Sequence, residues 1–142
     1  MRITRLEPGE AERVIAAGLG LARLGNGTGY YLVAWSQSEP VGHAHIALTE
    51  PPELQDVEVL PAHRRRGVAT ALTRAAEKEV AAAGHDRLTL TVSATASDAQ
   101  ALYRSLGYAD TGLPPRRVTG TIVIRSGPIE VDDTLLTWER IL

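Results

Sequence analysis

The chain has 142 residues, with 15 Lys and Arg against 17 Asp and Glu, so its formal net charge is −2. That length suits one ordinary domain, and that charge gives no overall electrostatic reason to bind a nucleic acid. Cysteine is absent, which excludes disulfides, thiolate catalysis and cysteine-ligated metal sites. No apolar run reaches the length of a membrane span and the N-terminus lacks a signal-peptide core, so we expect a soluble cytoplasmic protein without a membrane partner.

The first part of the chain predicts a strand, a helix, a hairpin and a further strand. An amphipathic helix is expected from Pro8 to Leu24, after which GNGTG at 25–29 is a flexible break. Apolar stretches of strand length predict the strands, and a polar turn at 36–40 closes the hairpin. The strands are expected at 2–6, 30–35, 41–48 and 54–60.

The second part predicts two helices and three strands. Apolar residues at helical spacing follow Gly67 and stop at Gly84. A shorter helix is expected at 97–107, with Ser97 as its N-cap and Gln100 as the capping-box partner. The strands are expected at 87–92, 117–125 and 134–142.

The order of these elements indicates an α/β fold. No repeat, low-complexity tract or linker divides residues 1–142, so we expect one domain. We expect a mixed, mostly antiparallel sheet of about six to seven strands, flanked by about three to four helices.

The stretch HRRRGVAT at 63–70 joins a predicted strand to a predicted helix. Free backbone amides and the positive end of the helix dipole meet at such a junction, an arrangement that binds phosphate. Gly67 and the small residues Ala69 and Thr70 let a ligand approach the backbone closely. The spacing is neither that of a Walker A loop nor that of a dinucleotide-binding glycine fingerprint. The stretch therefore predicts a phosphate site built from backbone groups.

Two blocks of sequence resemble the GNAT superfamily of acyl-CoA-dependent N-acyltransferases. Arg64-x-x-Gly67-x-Ala69 is similar to its Gln/Arg-x-x-Gly-x-Gly/Ala signature, and residues 53–84 resemble the whole of its motif A. Residues 97–108, SDAQALYRSLGY, resemble its motif B. The resemblance implies a GNAT fold and an acetyl-CoA-dependent N-acetyltransferase.

The same resemblance implies how acetyl-CoA is held. The loop's backbone amides hold the pyrophosphate of coenzyme A, and the arginine side chains add attraction. The backbone of Val59 and Leu60 pairs with the pantetheine arm, and the Val59 amide polarises the thioester carbonyl. The implied loop residues are Arg64, Arg65, Arg66, Gly67, Val68, Ala69 and Thr70.

The implied reaction is direct attack of a neutral amine on the thioester, which needs a proton acceptor and a donor to the leaving sulfur. The motif B tyrosine, here Tyr103, is the implied general acid, although it also lies on the apolar face of its helix and could simply pack there. Glu53, Asp56 and Glu58 are candidate bases on the motif A strand. Glu58, nearest the implied thioester, is either the base or part of a solvated sheet face.

Alternation along the strand places Leu54, Asp56, Glu58 and Leu60 on one face, a mixed surface suited to the wall of a cleft. His43 and His45 share a strand face, and a polar sheet face is a better interpretation than a metal site for them. We expect no bound metal.

Two features depart from the family. Motif B often carries an asparagine that contacts the cofactor, and Ala96 stands at that position, so the contact passes to Ser97 or is lost. The segment between the first helix and Tyr30 is short and leaves little room for the family's usual second helix, so the acceptor site is open or is completed by a partner subunit; a homodimer is compatible with this. The acidic stretch 129–133 either attracts a cationic amine or, more simply, forms a polar turn.

Three classes of function follow. The favoured one is an N-acetyltransferase acting on a small-molecule amine or a protein amino group. The second is a GNAT-like module that binds acyl-CoA as a sensor or regulatory subunit without catalysis. A nucleic-acid binder is disfavoured by the net charge and by the few aromatic residues. The sequence does not identify the acceptor.

Overall fold

The structure is a computed structural model that describes residues 1–25, 27–124 and 127–142, and the side chains of all of these except 122–124. Asn26 in the predicted break and Arg125 at the end of a predicted strand lie outside the described residues. The chain forms two compact units, residues 1–88 with 141–142, and residues 89–140. Each is described by itself, and the expectation of one domain stays a prediction.

The first unit contains an antiparallel array of four strands in the order β1-β2-β3-β4. A two-residue turn at Gln37 and Ser38 joins β2 to β3, tighter than the predicted turn. The elements are β1 (Arg2–Arg5), α1 (Ala11–Ala16), β2 (Tyr30–Ser36), β3 (Glu39–Ala47), β4 (Glu53–Val59) and α2 (Val68–Ala82), with 3-10 helices at Pro8–Glu10 and Pro61–His63.

Helix α1 is much shorter than predicted, because it ends at Ala16 and not at Leu24. Gly18 follows with a φ of 107°, a left-handed conformation that glycine adopts without the cost a side chain would add. The chain after it folds back onto the strands, where Leu19 packs with Val14, Val33 and Trp35 in a buried cluster. Residues 17–25 and 27–29 therefore cover one face of the strands as irregular chain.

Helix α2 matches its prediction and packs on the opposite face. Gly42 of β3 makes the close approach possible, since a Cβ there would lie 3.0 Å from a methyl carbon of Val68. Ala44 and Ile46 share this face by alternation and are fully buried. His43 and His45 consequently face away from α2, towards Gly20 and Gly29 respectively.

The second unit holds most of β5 (Arg87–Ser93) and four further elements. Strand β8 pairs antiparallel with both β6 and β7. The other elements are α3 (Ser97–Ser105), β6 (Ala109–Asp110), β7 (Arg116–Ile124) and β8 (Gly127–Ile141).

Two local predictions in this unit are wrong. Residues 129–133 belong to β8 and form no turn, because their carboxylates join cross-strand pairs: Arg117 with Asp132 at 2.8 Å, and Thr121 with Glu130 at 2.6 Å. The capping box of α3 is absent, since Ala96 is the N-cap and Gln100 donates instead to the Ser93 carbonyl at 2.8 Å.

The predicted α/β class with a mixed sheet is confirmed, with eight strands rather than six to seven and three α-helices among the described residues. In the same residues, no helix is both long and apolar enough to cross a membrane.

Candidate active site

The loop between β4 and α2 begins with the 3-10 turn Pro61–His63 and ends at Gly67. Arg65 and Gly67 both have left-handed backbones, with φ values of 61° and 78°. The Arg64 guanidinium donates to the Val59 carbonyl at 3.2 Å, which fastens the loop to the end of the strand. The side chains of Arg64, Arg65 and Arg66 are exposed, so their positive charges border the loop without forming it.

Helix α2 starts with free amide groups. Gly67 is its N-cap, no side chain caps it, and its first turn has no acidic residue. The first helical hydrogen bond runs from the Ala71 amide to the Gly67 carbonyl at 3.0 Å, so the amides of Val68, Ala69 and Thr70 precede the helical ladder. A Cβ on Gly67 would meet no atom within 4 Å, so open space lies beside these donors. Such a set of donors fits a pyrophosphate group.

The end of β4 has one backbone amide directed away from its neighbour β3. The Leu60 amide donates to the Val41 carbonyl at 2.9 Å, and the Leu60 carbonyl accepts from His63 at 2.8 Å. Leu60 therefore has no free donor for a cofactor arm, which weakens its predicted role. Val59 lies opposite Gly42, and in an antiparallel pair the position next to a bonded one points its backbone groups outward. The Val59 amide is thus the donor that faces away from β3.

The predicted face of β4 is wrong for Leu54, which lies opposite Ile46, because the strand contains a bulge; Asp56 and Glu58 lie close together as predicted. The pairing shifts between His43 opposite Glu58 and His45 opposite Gln55, which leaves one extra residue on β4. Asp56, within the bulge, has a left-handed φ of 51°. Gln55 and Glu58 consequently share the face of the two histidines, whereas regular alternation would separate them.

We call the face that carries His43, His45, Gln55 and Glu58 the polar face. Tyr31 lies at its centre. Its ring stands edge-on to the rings of His43 and His45, with both pairs of centroids 4.9 Å apart. Its hydroxyl accepts from the Arg23 amide at 2.9 Å and donates to Asp56 Oδ2 at 2.6 Å. Burial, followed by this bond to Asp56, raises the pKa of Tyr31 far above its ordinary value. The Tyr31 hydroxyl therefore keeps its proton and donates it to Asp56.

The two histidines are buried, and each has one ring nitrogen in a hydrogen bond. His43 Nε2 contacts the Gly20 carbonyl, which can only accept, so this nitrogen carries the proton. Burial lowers the pKa of His45, whose Nδ1 lies 3.2 Å from Gln55 Oε1. The sequence prediction of a polar sheet face agrees with this arrangement.

Two carboxylates border the cluster. Glu58 Oε2 lies 3.8 Å from His43 Nε2, and the Glu58 side chain is 38% exposed. The spacing of three side chains resembles that of some metal sites. A ring nitrogen of His43 and one carboxylate oxygen each of Asp56 and Glu58 all lie within 4.8 Å of one another. The protonated Nε2 of His43 is not available as a ligand, however, and one oxygen of Asp56 is held by Tyr31.

In the second unit, Tyr103 lies on α3 with its ring edge-on to that of Tyr108, at a centroid distance of 5.9 Å. Burial raises the pKa of the Tyr103 hydroxyl, so it stays protonated at neutral pH. Among the described residues it has no hydrogen-bond partner for that hydroxyl. Ser97, the first residue of α3, is exposed and does not cap the helix.

Sequence reasoning missed Tyr31 and the Gly20 carbonyl. Tyr31 belongs to an apolar run, YYLVAW, and its role depends on partners 8 and 25 residues away. A backbone carbonyl has no signature in a sequence. Only the two glycines at 18 and 20, which interrupt the helical pattern, could have indicated the irregular segment.

Comparison with known proteins agrees with this geometry. The profile of the acetyltransferase (GNAT) family matches residues 4–108. A search of curated proteins found no match. Among solved structures, the ribosomal-protein-S18-alanine N-acetyltransferase from Escherichia coli is 19% identical, with a TM-score of 0.75 over 99% of this chain and 92% of that one.

Two other similar structures contain the cofactor. A GNAT family acetyltransferase from Elizabethkingia anophelis with acetyl-CoA bound is 14% identical, with a TM-score of 0.71 over 99% of this chain and 97% of that one. An aminoglycoside 6'-N-acetyltransferase complexed with coenzyme A is 16% identical, with a TM-score of 0.67 over 99% of this chain and 97% of that one. These likenesses show a shared fold, and the family profile covers most of the chain. The protein therefore belongs to the GNAT family of acetyltransferases.

Proposed function

We propose that the protein is an acetyl-CoA-dependent N-acetyltransferase that transfers the acetyl group to a primary amine by direct attack in a ternary complex. The observation that carries this proposal is the uncapped N-terminus of α2, with Gly67 left-handed and open space beside its amides. The acetyl-CoA and coenzyme A complexes of similar folds support the same cofactor.

Each part of the cofactor site has a definite task in this proposal. The amides of Val68, Ala69 and Thr70 hold the pyrophosphate, and the three loop arginines add long-range attraction. The Val59 amide hydrogen-bonds the acyl carbonyl and orients it for attack. Acetyl-CoA, when bound, supplies an activated acyl group as a thioester.

Two side chains carry out the proton transfers, one as general base and one as general acid. Glu58, partly exposed on the polar face, accepts a proton from the acceptor ammonium and leaves a neutral amine with a free lone pair. Tyr103 donates its hydroxyl proton to the sulfur as the C–S bond breaks, and it regains a proton from the nitrogen as the amide forms. This role rests on the family resemblance and on a hydroxyl that burial keeps protonated.

The acceptor is a small-molecule amine or a protein amino group. Similar folds include an enzyme named for a ribosomal protein and one named for aminoglycosides, so the fold accommodates both kinds. The cytoplasmic location and the homodimer stay predictions.

Calorimetry with acetyl-CoA tests the cofactor, and release of free coenzyme A with a panel of primary amines tests the reaction. We expect saturable binding of acetyl-CoA and turnover with at least one amine. No binding at millimolar acetyl-CoA would contradict the proposal.

Ala96, at the position of the missing motif B asparagine, favours one alternative, an acyl-CoA sensor without catalysis. Tight binding of acetyl-CoA with no turnover across the panel would select that alternative.

A further inference from the structure

Asp56, in the middle of β4, has a backbone conformation that its side chain disfavours. Its φ of 51° is left-handed, and among the described residues only Gln37 and Arg65 are further non-glycine residues with a positive φ. Those two lie in connections between elements, whereas Asp56 lies within a strand. A β-carbon makes this conformation costly, so a residue other than glycine keeps it only where its surroundings hold it. The contacts of Asp56 therefore bear on the whole end of β4.

The Tyr31 hydroxyl holds the Asp56 side chain from two strands away. Tyr31 lies on β2 opposite His45 of β3, and its hydroxyl reaches past β3 to donate to Asp56 Oδ2 at 2.6 Å. The Arg23 amide donates to the same hydroxyl at 2.9 Å, which fixes the oxygen from a second side. The Tyr31 ring is buried and stands edge-on to the rings of His43 and His45. Packing and hydrogen bonds together therefore fix this hydroxyl against Asp56.

The bulge at Asp56 sets the positions of the two β4 groups that the proposed reaction uses. In the observed register Glu58 lies opposite His43, and Val59 follows it with an outward amide. Without the extra residue, Val57 would lie opposite His43, and Glu58 would move to the other face of the strand. The conformation of Asp56 is thus what brings Glu58 to the polar face.

We propose that Tyr31 is a positioning residue, whose hydroxyl holds Asp56 in its left-handed conformation. The bulge then keeps Glu58 and the Val59 amide in the places that the proposed reaction requires. This inference rests on the proposed function and adds to it a residue from β2. The role is one of backbone conformation, so the charge of Asp56 is not needed once that conformation is secured by other means.

A matched pair of variants at position 56 separates conformation from charge. Asp56→Gly removes the carboxylate but adopts a positive φ without steric cost, so kcat is expected to stay within ~3-fold of wild type. Asp56→Ala also removes the carboxylate but keeps a β-carbon, so kcat is expected to fall ~10-fold. Equal kcat values in the two variants, whether high or low, would overturn the proposal.

Tyr31→Phe keeps the buried ring and removes only the hydroxyl. We expect kcat to fall ~10-fold, about the value of one hydrogen bond to a charged group. The dissociation constant of acetyl-CoA should not change, because the amides at the start of α2 are unaffected. Tyr30→Phe removes a neighbouring hydroxyl that bonds Glu79 at 3.2 Å, and it should retain the wild-type kcat. Equal kcat values in Tyr31→Phe and Tyr30→Phe would overturn the role of Tyr31.

The double variant Tyr31→Phe/Asp56→Gly tests whether Tyr31 acts through Asp56. Glycine secures the bulge without the hydroxyl, so the double variant is expected to have the kcat of Asp56→Gly alone, ~3- to 10-fold above that of Tyr31→Phe. A residue that only packs, or that acts through the Arg23 amide, would show no such rescue. A double variant no faster than Tyr31→Phe would therefore overturn the proposal.

NMR relaxation dispersion of the backbone amides of residues 55–59 reads the bulge without any substrate. We expect microsecond-to-millisecond exchange in Tyr31→Phe that wild type and Tyr30→Phe lack. A segment as rigid in Tyr31→Phe as in wild type would overturn the proposal.

Failure of this inference is distinguishable from failure of the proposed function. A protein that binds acetyl-CoA and acetylates amines, and does so equally well as Tyr31→Phe, would overturn the inference alone. Exchange confined to Tyr31→Phe, in a protein that does not bind acetyl-CoA, would support the hold of Tyr31 on the bulge and contradict the acetyltransferase.

Discussion

Glu58 lies between His43 and the backbone of Val59, beside the position proposed for the thioester. It lies opposite His43 in the β3–β4 pair, next in sequence to Val59, whose amide points away from β3. The sequence offered Glu53, Asp56 and Glu58 as candidate proton acceptors, with Glu58 nearest the implied thioester. Partial exposure and a place beside the proposed thioester position support Glu58 as the proposed base.

Replacing Glu58 by Gln keeps the shape of the side chain and removes its basicity. We expect kcat to fall by ~100-fold or more, since positioned proton transfer contributes at least that much. The dissociation constant of acetyl-CoA, measured by calorimetry, should not change.

Glu53→Gln is the matched control, since Glu53 lies at the other end of β4, opposite Ala47. It should retain the wild-type kcat. A Glu58→Gln protein as active as this control would exclude Glu58 as the base.

Tyr103 is tested by Tyr103→Phe, which removes only the hydroxyl. We expect kcat to fall by ~100-fold, because the departing sulfur then lacks its proton donor. Tyr108→Phe, on the other ring of the same edge-on pair, controls for a general effect on packing. Turnover of Tyr103→Phe equal to that of the control would leave Tyr103 with a packing role only.

At the scale of elements, the bulge in β4 and the start of α2 determine the site. The bulge places Gln55 and Glu58 on one face, which strict alternation does not allow. Gly67 begins α2 in a left-handed conformation and leaves the first amides uncovered. Both features are single-residue departures from regular structure.

Gly67→Asp is expected to abolish binding of acetyl-CoA in calorimetry. The carboxylate would fill the open space beside the helix N-terminus and repel the pyrophosphate. Arg65→Ala should weaken binding without abolishing it, because the arginine adds attraction while the amides position the group.

Gly84→Asp provides the control for Gly67→Asp. Gly84 follows the other end of the same helix, has a φ of 97°, and also has no atom within 4 Å of its Cβ position. The two variants therefore carry the same kind of backbone strain. Loss of binding in both would assign the effect to strain and not to the loop.

At the scale of the whole molecule, buried tyrosines link stability to alkaline pH. Burial raises the pKa of Tyr31 and of Tyr103 above the value of about 10 found in an unfolded chain. At a pH between the unfolded-state pKa and the higher folded-state pKa, these tyrosines are deprotonated in the unfolded chain but keep their protons in the folded one. The contribution of these tyrosines to the free energy of unfolding is therefore complete below about pH 10. It falls as the pH rises towards their folded-state pKa values.

Urea unfolding from about pH 8 to pH 11 measures this dependence. We expect the free energy of unfolding to fall above about pH 10, and to fall less steeply in Tyr31→Phe and in Tyr103→Phe. An identical slope in wild type and both variants would show that these tyrosines are not linked to alkaline unfolding.

The sequence predicted secondary structure correctly where the local pattern of residues decides it. Helix α2, strand β5 and the junction between β4 and α2 follow from spacing and glycine position, because residues adjacent in sequence decide them. Helix α1 was predicted too long, since its apolar spacing continues past Gly18 although the chain leaves the helix there. The capping box of α3 failed because Gln100 bonds the end of β5 instead.

The sequence by itself determined the family, the α/β class and the junction between β4 and α2, since each depends on short-range spacing. Only the tertiary structure decided which side chains share the polar face. Tyr31 meets Asp56, and His43 meets the Gly20 carbonyl, across 25 and 23 residues of chain. Strand pairing and a one-residue bulge bring them together, and neither the register nor the bulge is encoded in a local pattern.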